Sequence, residues 1–86
     1  MKINARIVRM IGGEKVKAYA SVCIEDSFMV YGIKVIEGEK GKFVAMPTRK
    51  NKRGEYYDVC YPVTKEMRND IFEAVLKEYK KKVEEM

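Results

Sequence analysis

The sequence has no histidine, only two cysteines and no long hydrophobic run. Without histidine, the chain lacks the commonest general base and the commonest metal ligand. Cys23 and Cys60 lie far apart and not in a C-x-x-C spacing, so we expect two reduced thiols rather than a disulfide or a redox centre. No apolar run approaches the ~20 residues of a membrane span, and the N-terminus does not resemble a signal peptide. These absences predict a cytoplasmic protein that has no contact with a membrane.

Signatures of catalysis are missing as well. The chain has no G-x-S-x-G motif, no phosphate-cradling glycine loop and no cysteine beside an obvious base. The adjacent carboxylates at 25–26 and 84–85 would face different ways on a strand or helix, and solvation of a turn and a helix end explains them better. The sequence therefore predicts a protein that is not an enzyme, with no catalytic residue, metal site, cofactor or small-molecule substrate.

The apolar residues follow two successive patterns. Alternation through residues 3–24 predicts a β-hairpin, residues 28–36 a third strand with a bulge or close approach at Gly32, and residues 43–46 and 55–61 two further strands. From Thr64, a plausible N-cap, the period changes to that of an amphipathic helix. The apolar stripe of this helix comprises Met67, Ile71, Phe72, Ala74, Val75, Leu76, Tyr79 and Val83. We predict one α+β domain over residues 1–86, an antiparallel β-sheet of about four to five strands with one C-terminal amphipathic α-helix.

The net charge of +5 is concentrated in one part of the chain. Residues 1–33 carry +2 and residues 54–86 carry −2, whereas residues 34–53 hold seven cations and two anions. Arg49, Lys50, Lys52 and Arg53 lie in a turn between two strands with no acid among them. Guanidinium forks beside ammonium groups suit phosphate oxygens, so these four residues are candidates for nucleic-acid contact. The alternative is a solvated β-turn.

Two tyrosines follow this basic segment directly. On a strand Tyr56 and Tyr57 would point to opposite faces, so at most one can pack in a core. An exposed tyrosine beside four cations can stack a nucleic-acid base, and we include Tyr57 in the candidate site. The alternative is a tyrosine that covers apolar sheet surface.

Three segments resemble the SpoVG family of bacterial septation regulators. They are residues 32–38 (GIKVIEG), 41–50 (GKFVAMPTRK) and 54–59 (GEYYDV), followed by Pro62. The most specific part is FVAMP followed by a small hydroxyl residue and a basic pair, and the similarity spans essentially the whole chain. Tyr57 stands where the family often has a basic residue, and Tyr61 where it often has histidine.

The resemblance implies a small α+β protein that forms a homodimer and binds DNA, and in some members RNA, as a regulator of gene expression linked to septation and sporulation. It also implies that Arg49 and Lys50, the basic pair after the Pro-Thr step, contact the nucleic acid. Independently, one helix covers one face of a sheet, which leaves Val30, Tyr31 or Phe43 as candidates for an uncovered side that a second protomer would hide.

We therefore predict a dimeric, non-enzymatic nucleic-acid-binding protein whose basic segment contacts the phosphate backbone. The alternative is a protein-interaction module whose basic segment docks an acidic protein partner.

Overall fold

The computed structural model describes all 86 residues and contains six strands and one helix. These elements are β1 (Ile3–Met10), β2 (Val16–Ile24), β3 (Phe28–Gly38), β4 (Gly41–Ala45), β5 (Thr48–Lys50), β6 (Tyr56–Asp58) and α1 (Lys65–Glu85). Strands β1 to β4 form an antiparallel sheet in chain order, and β5 pairs with β6 in a separate hairpin. The structure confirms the predicted α+β class.

The strands after β4 form their own sheet because Pro47 interrupts the chain. Proline has no N–H to donate to a ladder, and β4 accordingly ends at Ala45. The Val59 N–H donates to the Pro47 carbonyl at 2.8 Å, which closes the base of the β5–β6 hairpin. The expected strand over residues 55–61 is therefore shortened to Tyr56–Asp58.

Strand β3 contains the irregularity that the sequence predicts at Gly32. Val22 pairs with Val30 and Ala20 pairs with Ile33, so β3 has one extra residue opposite Ser21. Gly32 has a φ of 82°, and a Cβ placed there would lie 3.3 Å from the Cβ of Pro47. Gly32 thus allows both the bulge and the close approach of the hairpin base.

Helix α1 packs on one face of the four-stranded sheet. The Thr64 hydroxyl accepts a hydrogen bond from the Met67 N–H at 3.1 Å, which confirms the predicted N-cap. The helix buries Ile71, Val75 and Tyr79 against the alternating apolar residues of the strands. Val83 shares the periodicity of the stripe but is 45% exposed, because every residue from 80 to 86 lies beyond the packed part of the helix.

The other face of the sheet is not covered by any element. Tyr31 and Phe43 are exposed there, as expected. Val30 is not on that face: it is only 9% exposed and belongs to the core, because it pairs with the buried Val22 on the helix side. The structure has no helix with the length and apolar character needed to cross a bilayer.

Candidate nucleic-acid interface

The β5–β6 hairpin brings the candidate residues together. Arg49 pairs with Tyr57 and Lys50 pairs with Tyr56 across the two strands. Because neighbouring residues on a strand point to opposite faces, Arg49 lies beside Tyr57 on one face and Lys50 beside Tyr56 on the other. All six residues of the two strands are exposed, so both faces of the hairpin are accessible.

Asn51 stabilises the turn that joins the two strands. Its side-chain oxygen accepts hydrogen bonds from the N–H groups of Arg53 and Glu55, both at 2.9 Å. Its own N–H donates to the Glu55 carbonyl at 2.9 Å, and its carbonyl accepts from Gly54 at 3.0 Å. Gly54 has a φ of 83°, a conformation that glycine adopts without a steric penalty. The turn therefore holds Lys52 and Arg53 on a hydrogen-bonded backbone.

The four cations have no carboxylate partner in the structure. Arg49 and Lys50 lie in β5, whereas Lys52 and Arg53 lie in the turn, and all four are exposed. The ion pairs of the chain join other residues: Lys2 with Asp26, Lys42 with Glu37 and Lys81 with Glu78. Glu55, the nearest acid in sequence, is within hydrogen-bonding distance of the Asn51 amide instead. The positive charge of the hairpin is thus available to an external anion.

Both tyrosines of the hairpin are exposed, and neither packs in the core. The Lys50 Nζ lies 5.7 Å from the centroid of the Tyr56 ring, within the range of a cation–π contact. Tyr57 has no such contact and lies beside Arg49 on the opposite face. The Lys50–Tyr56 pairing depends on the strand register, which residue types alone do not define.

The lysines near the end of α1 have a different setting. Lys81 forms an ion pair with Glu78 at 3.4 Å, one turn earlier on the helix. Lys82 lies in the last turn, where positive charge stabilises the negative end of the helix dipole. This cluster has structural roles that the hairpin cations lack.

A second set of cations was missed by reasoning from the sequence. Arg9 on β1 pairs with Tyr19 on β2, and Tyr19 pairs with Lys34 on β3. These side chains lie on the uncovered face, together with Arg6 of β1. The alternation of polar and apolar residues in β1 and β2 would have placed Arg6 and Tyr19 on the polar side. The bulges change the phase of alternation before Arg9 and Lys34, so the sequence pattern alone does not place these two residues on that face.

The structure contains no group of three or more His, Cys, Asp or Glu side chains able to hold a metal ion. Cys23 and Cys60 are free thiols.

Comparison with known proteins gives consistent matches along the chain. A family model described as SpoVG matches residues 1–81. A relative from Archaeoglobus fulgidus, named septation protein SpoVG, is 50% identical over 76 residues, which cover 88% of this chain and 89% of that protein. A relative of the same name from Agathobacter rectalis is 45% identical over 85 residues, 98% of each chain. Another from Symbiobacterium thermophilum is 52% identical over 80 residues, 92% of this chain but 57% of that longer protein.

Proposed function

Because the chain belongs to the SpoVG family, we propose that it is a non-enzymatic, nucleic-acid-binding regulatory protein that contacts phosphates through the β5–β6 hairpin. The family assignment confirms the resemblance seen in the sequence motifs. The relatives are named septation proteins, not enzymes, and we assign this chain to the same process, acting through control of gene expression.

The observation that carries the proposal is the set of four unpaired cations on the hairpin. Arg49, Lys50, Lys52 and Arg53 are exposed within five consecutive positions and form no ion pair in the chain. Arginine offers two parallel N–H groups to a phosphate, and lysine offers a point charge. Such contacts give affinity for DNA and RNA backbones with little sequence preference.

The exposed tyrosines extend this chemistry on both faces of the hairpin. Tyr57 lies beside Arg49, and Tyr56 beside Lys50. An aromatic ring next to a cation suits a nucleotide, since the ring can stack on a base while the cation binds the adjacent phosphate. We therefore keep Tyr57 in the proposed site.

We also propose that the protein acts as a homodimer. Only 11 of the 86 residues are buried, which is a small core for an independent chain. Val59, Tyr61 and Val63 are exposed in the segment between β6 and α1, and a second copy would cover them. Two hairpins would then neutralise about eight phosphates, with a slope of log K against log salt of about −7 on duplex DNA and about −6 on a single strand. Analytical ultracentrifugation measures the mass, and a monomer at binding concentrations contradicts this part of the proposal.

The test of the hairpin is the double charge reversal Arg49→Glu with Lys50→Glu. We expect binding to DNA and RNA of any sequence to weaken by about tenfold or more, and the salt slope to fall by about 2 per chain. The matched control is Lys80→Glu with Lys82→Glu, which changes the net charge equally at two exposed positions outside the hairpin. Gel-shift assays and titrations at several salt concentrations measure both variants. Unchanged binding by the hairpin variant, or an equal loss in the control, contradicts the assignment.

An acidic protein partner would use the same four cations, and nuclease treatment separates the two functions. Retention on nucleic acid that disappears with nuclease supports the proposal. A partner that remains bound to the wild-type chain after nuclease, but not to the Arg49→Glu, Lys50→Glu variant, supports a protein-docking module instead.

A further inference from the structure

The uncovered face of the four-stranded sheet presents one aromatic side chain on each of three adjacent strands. Tyr19 lies on β2, Tyr31 on β3 and Phe43 on β4. All three are exposed, Tyr31 to 65% and Tyr19 to 36%. Buried rings contribute to a core, but none of these three is buried. An array of exposed rings on a sheet is an arrangement on which unpaired bases stack.

Cations lie beside these rings in the cross-strand register. Arg9, Tyr19 and Lys34 form one row, because Tyr19 is the direct partner of both residues. Directly opposed side chains have Cβ atoms about 4.5–5.5 Å apart, so Tyr19 has a cationic residue as its neighbour on each adjacent strand. Arg6 lies in the next row, opposite Ser21. None of these cations forms an ion pair.

The charge of this face argues against a second copy as its occupant, although its exposed apolar residues alone predict a second protomer there. No acid lies in these rows, so two faces placed together would bring six cations, three from each copy, into one desolvated interface. Like charges in such an interface oppose association. A polyanion with aromatic bases has the complementary chemistry.

We propose that this face is a second binding site, specific for single-stranded nucleic acid. Bases would stack on Tyr19 and Tyr31, while Arg6, Arg9 and Lys34 bind the intervening phosphates. A duplex cannot use the site, because its bases are already paired and stacked within the helix. The inference rests on the proposed function for the general class of ligand, but it uses none of the hairpin residues.

The two sites are close enough for one strand to reach both. Gly32 follows Tyr31 in β3, and its backbone approaches Pro47 at the base of the hairpin. A single strand bound at Tyr31 would therefore lie near the base of the hairpin. The hairpin supplies phosphate contacts for any nucleic acid, and the sheet face adds a preference for unpaired bases.

The test is the double substitution Tyr19→Leu with Tyr31→Leu, which removes the rings and leaves the cations in place. Four probes of equal length, about 12 nucleotides, are compared: oligouridine RNA, oligothymidine DNA, an abasic single strand and a DNA duplex. We expect at least about fivefold weaker binding of the two single strands that carry bases, and no change for the abasic strand or the duplex. Phe28→Leu is the matched control, since Phe28 is an exposed aromatic residue of β3 in register with the helix side.

The outcomes separate this site from the hairpin. Weaker binding of both the RNA and the DNA single strand assigns the face to unpaired bases in general. Weaker binding of the RNA strand alone assigns it to RNA. An equal loss on the duplex or the abasic strand overturns the stacking site while leaving the hairpin proposal intact. A lower oligomeric mass with unchanged binding overturns it in favour of a contact between copies. If the Tyr19→Leu, Tyr31→Leu variant binds all four probes like the wild type while the Arg49→Glu, Lys50→Glu variant binds them more weakly, the stacking site is also overturned.

Discussion

The β5–β6 hairpin and the four-stranded sheet with its helix are stabilised in different ways. The sheet and α1 contain all ten residues of the buried hydrophobic cluster. The hairpin contributes none of them, and its conformation depends on backbone hydrogen bonds and the side chain of Asn51. Apolar burial is the main favourable term in folding. Substitutions on the hairpin should therefore change recognition with little effect on the stability of the whole chain.

The two regions also differ in how they treat charge. Outside the hairpin, Lys2, Lys42 and Lys81 each lie within 4.0 Å of a carboxylate, and the unpaired cations Arg6, Arg9 and Lys34 are spread over two strands of the sheet. The four hairpin cations also have no carboxylate partner, and they lie within five consecutive positions. Mutual repulsion at an exposed turn is screened by water and salt, so the fold tolerates it. A bound polyanion would remove that repulsion, which is the physical basis for placing the phosphate contacts there.

The largest expected effect comes from opening the core beneath α1. Val75 is fully buried, and Val75→Ala removes two methyl groups from the contact between the helix and the sheet. We expect the free energy of unfolding to fall by about 2 kcal/mol. Denaturant unfolding followed by circular dichroism measures the loss, and nucleic-acid binding of the folded fraction should be unchanged.

Val83→Ala is the matched control, because it makes the same substitution on the same helix at a position 45% exposed. We expect a change of under about 0.5 kcal/mol, since alanine is the better helix former and little apolar surface is lost. Equal losses at the two positions would mean that the helix is buried along its whole length, contrary to the division between the packed part of α1 and its exposed end.

A smaller effect is expected at the point where the two regions meet. Gly32→Ala places a Cβ at a φ of 82° and only 3.3 Å from the Cβ of Pro47. We expect a loss of about 1–2 kcal/mol in unfolding free energy and weaker nucleic-acid binding, because the base of the hairpin must shift. Gly12→Ala is the control: Gly12 has a similar φ of 69° but no atom within 4 Å of the added Cβ. If both variants bind equally well, the Gly32–Pro47 contact does not position the hairpin.

The sheet and the helix follow from local patterns, and the exceptions have local causes. Alternation correctly places Ala18, Ala20 and Val22 on one buried face. The prediction that Val30 lies on the uncovered face is wrong, because the bulge at Gly32 changes the phase of alternation along β3 and only pairing with β2 fixes the position of Val30. The periodicity of α1 likewise includes Val83, although only tertiary structure determines where the sheet ends beneath the helix.

The segment that forms the candidate site could be predicted from the sequence, but the arrangement of its side chains could not. Charge density and turn residues are enough to identify Arg49 to Arg53. Which cation lies beside which tyrosine depends on the register of β5 and β6, and that register depends on the hydrogen bonds of Asn51 across the turn. Arg9 and Lys34 are separated in sequence by the whole of β2, so only pairing through Tyr19 brings them into one row.

The smallest effect on global stability is expected within the hairpin itself. Asn51→Ala removes the acceptor of the Arg53 and Glu55 N–H groups, and the loss of a comparable side-chain cap costs about 0.5–2 kcal/mol locally. Since no hairpin residue belongs to the core, we expect the global unfolding free energy to change by under about 0.5 kcal/mol. Amide hydrogen exchange in β5 and β6 should nevertheless become faster. Asn4→Ala, at an exposed position of β1, is the control and should leave this exchange unchanged. A global loss as large as that of Val75→Ala would show that the hairpin and the sheet unfold as one cooperative unit.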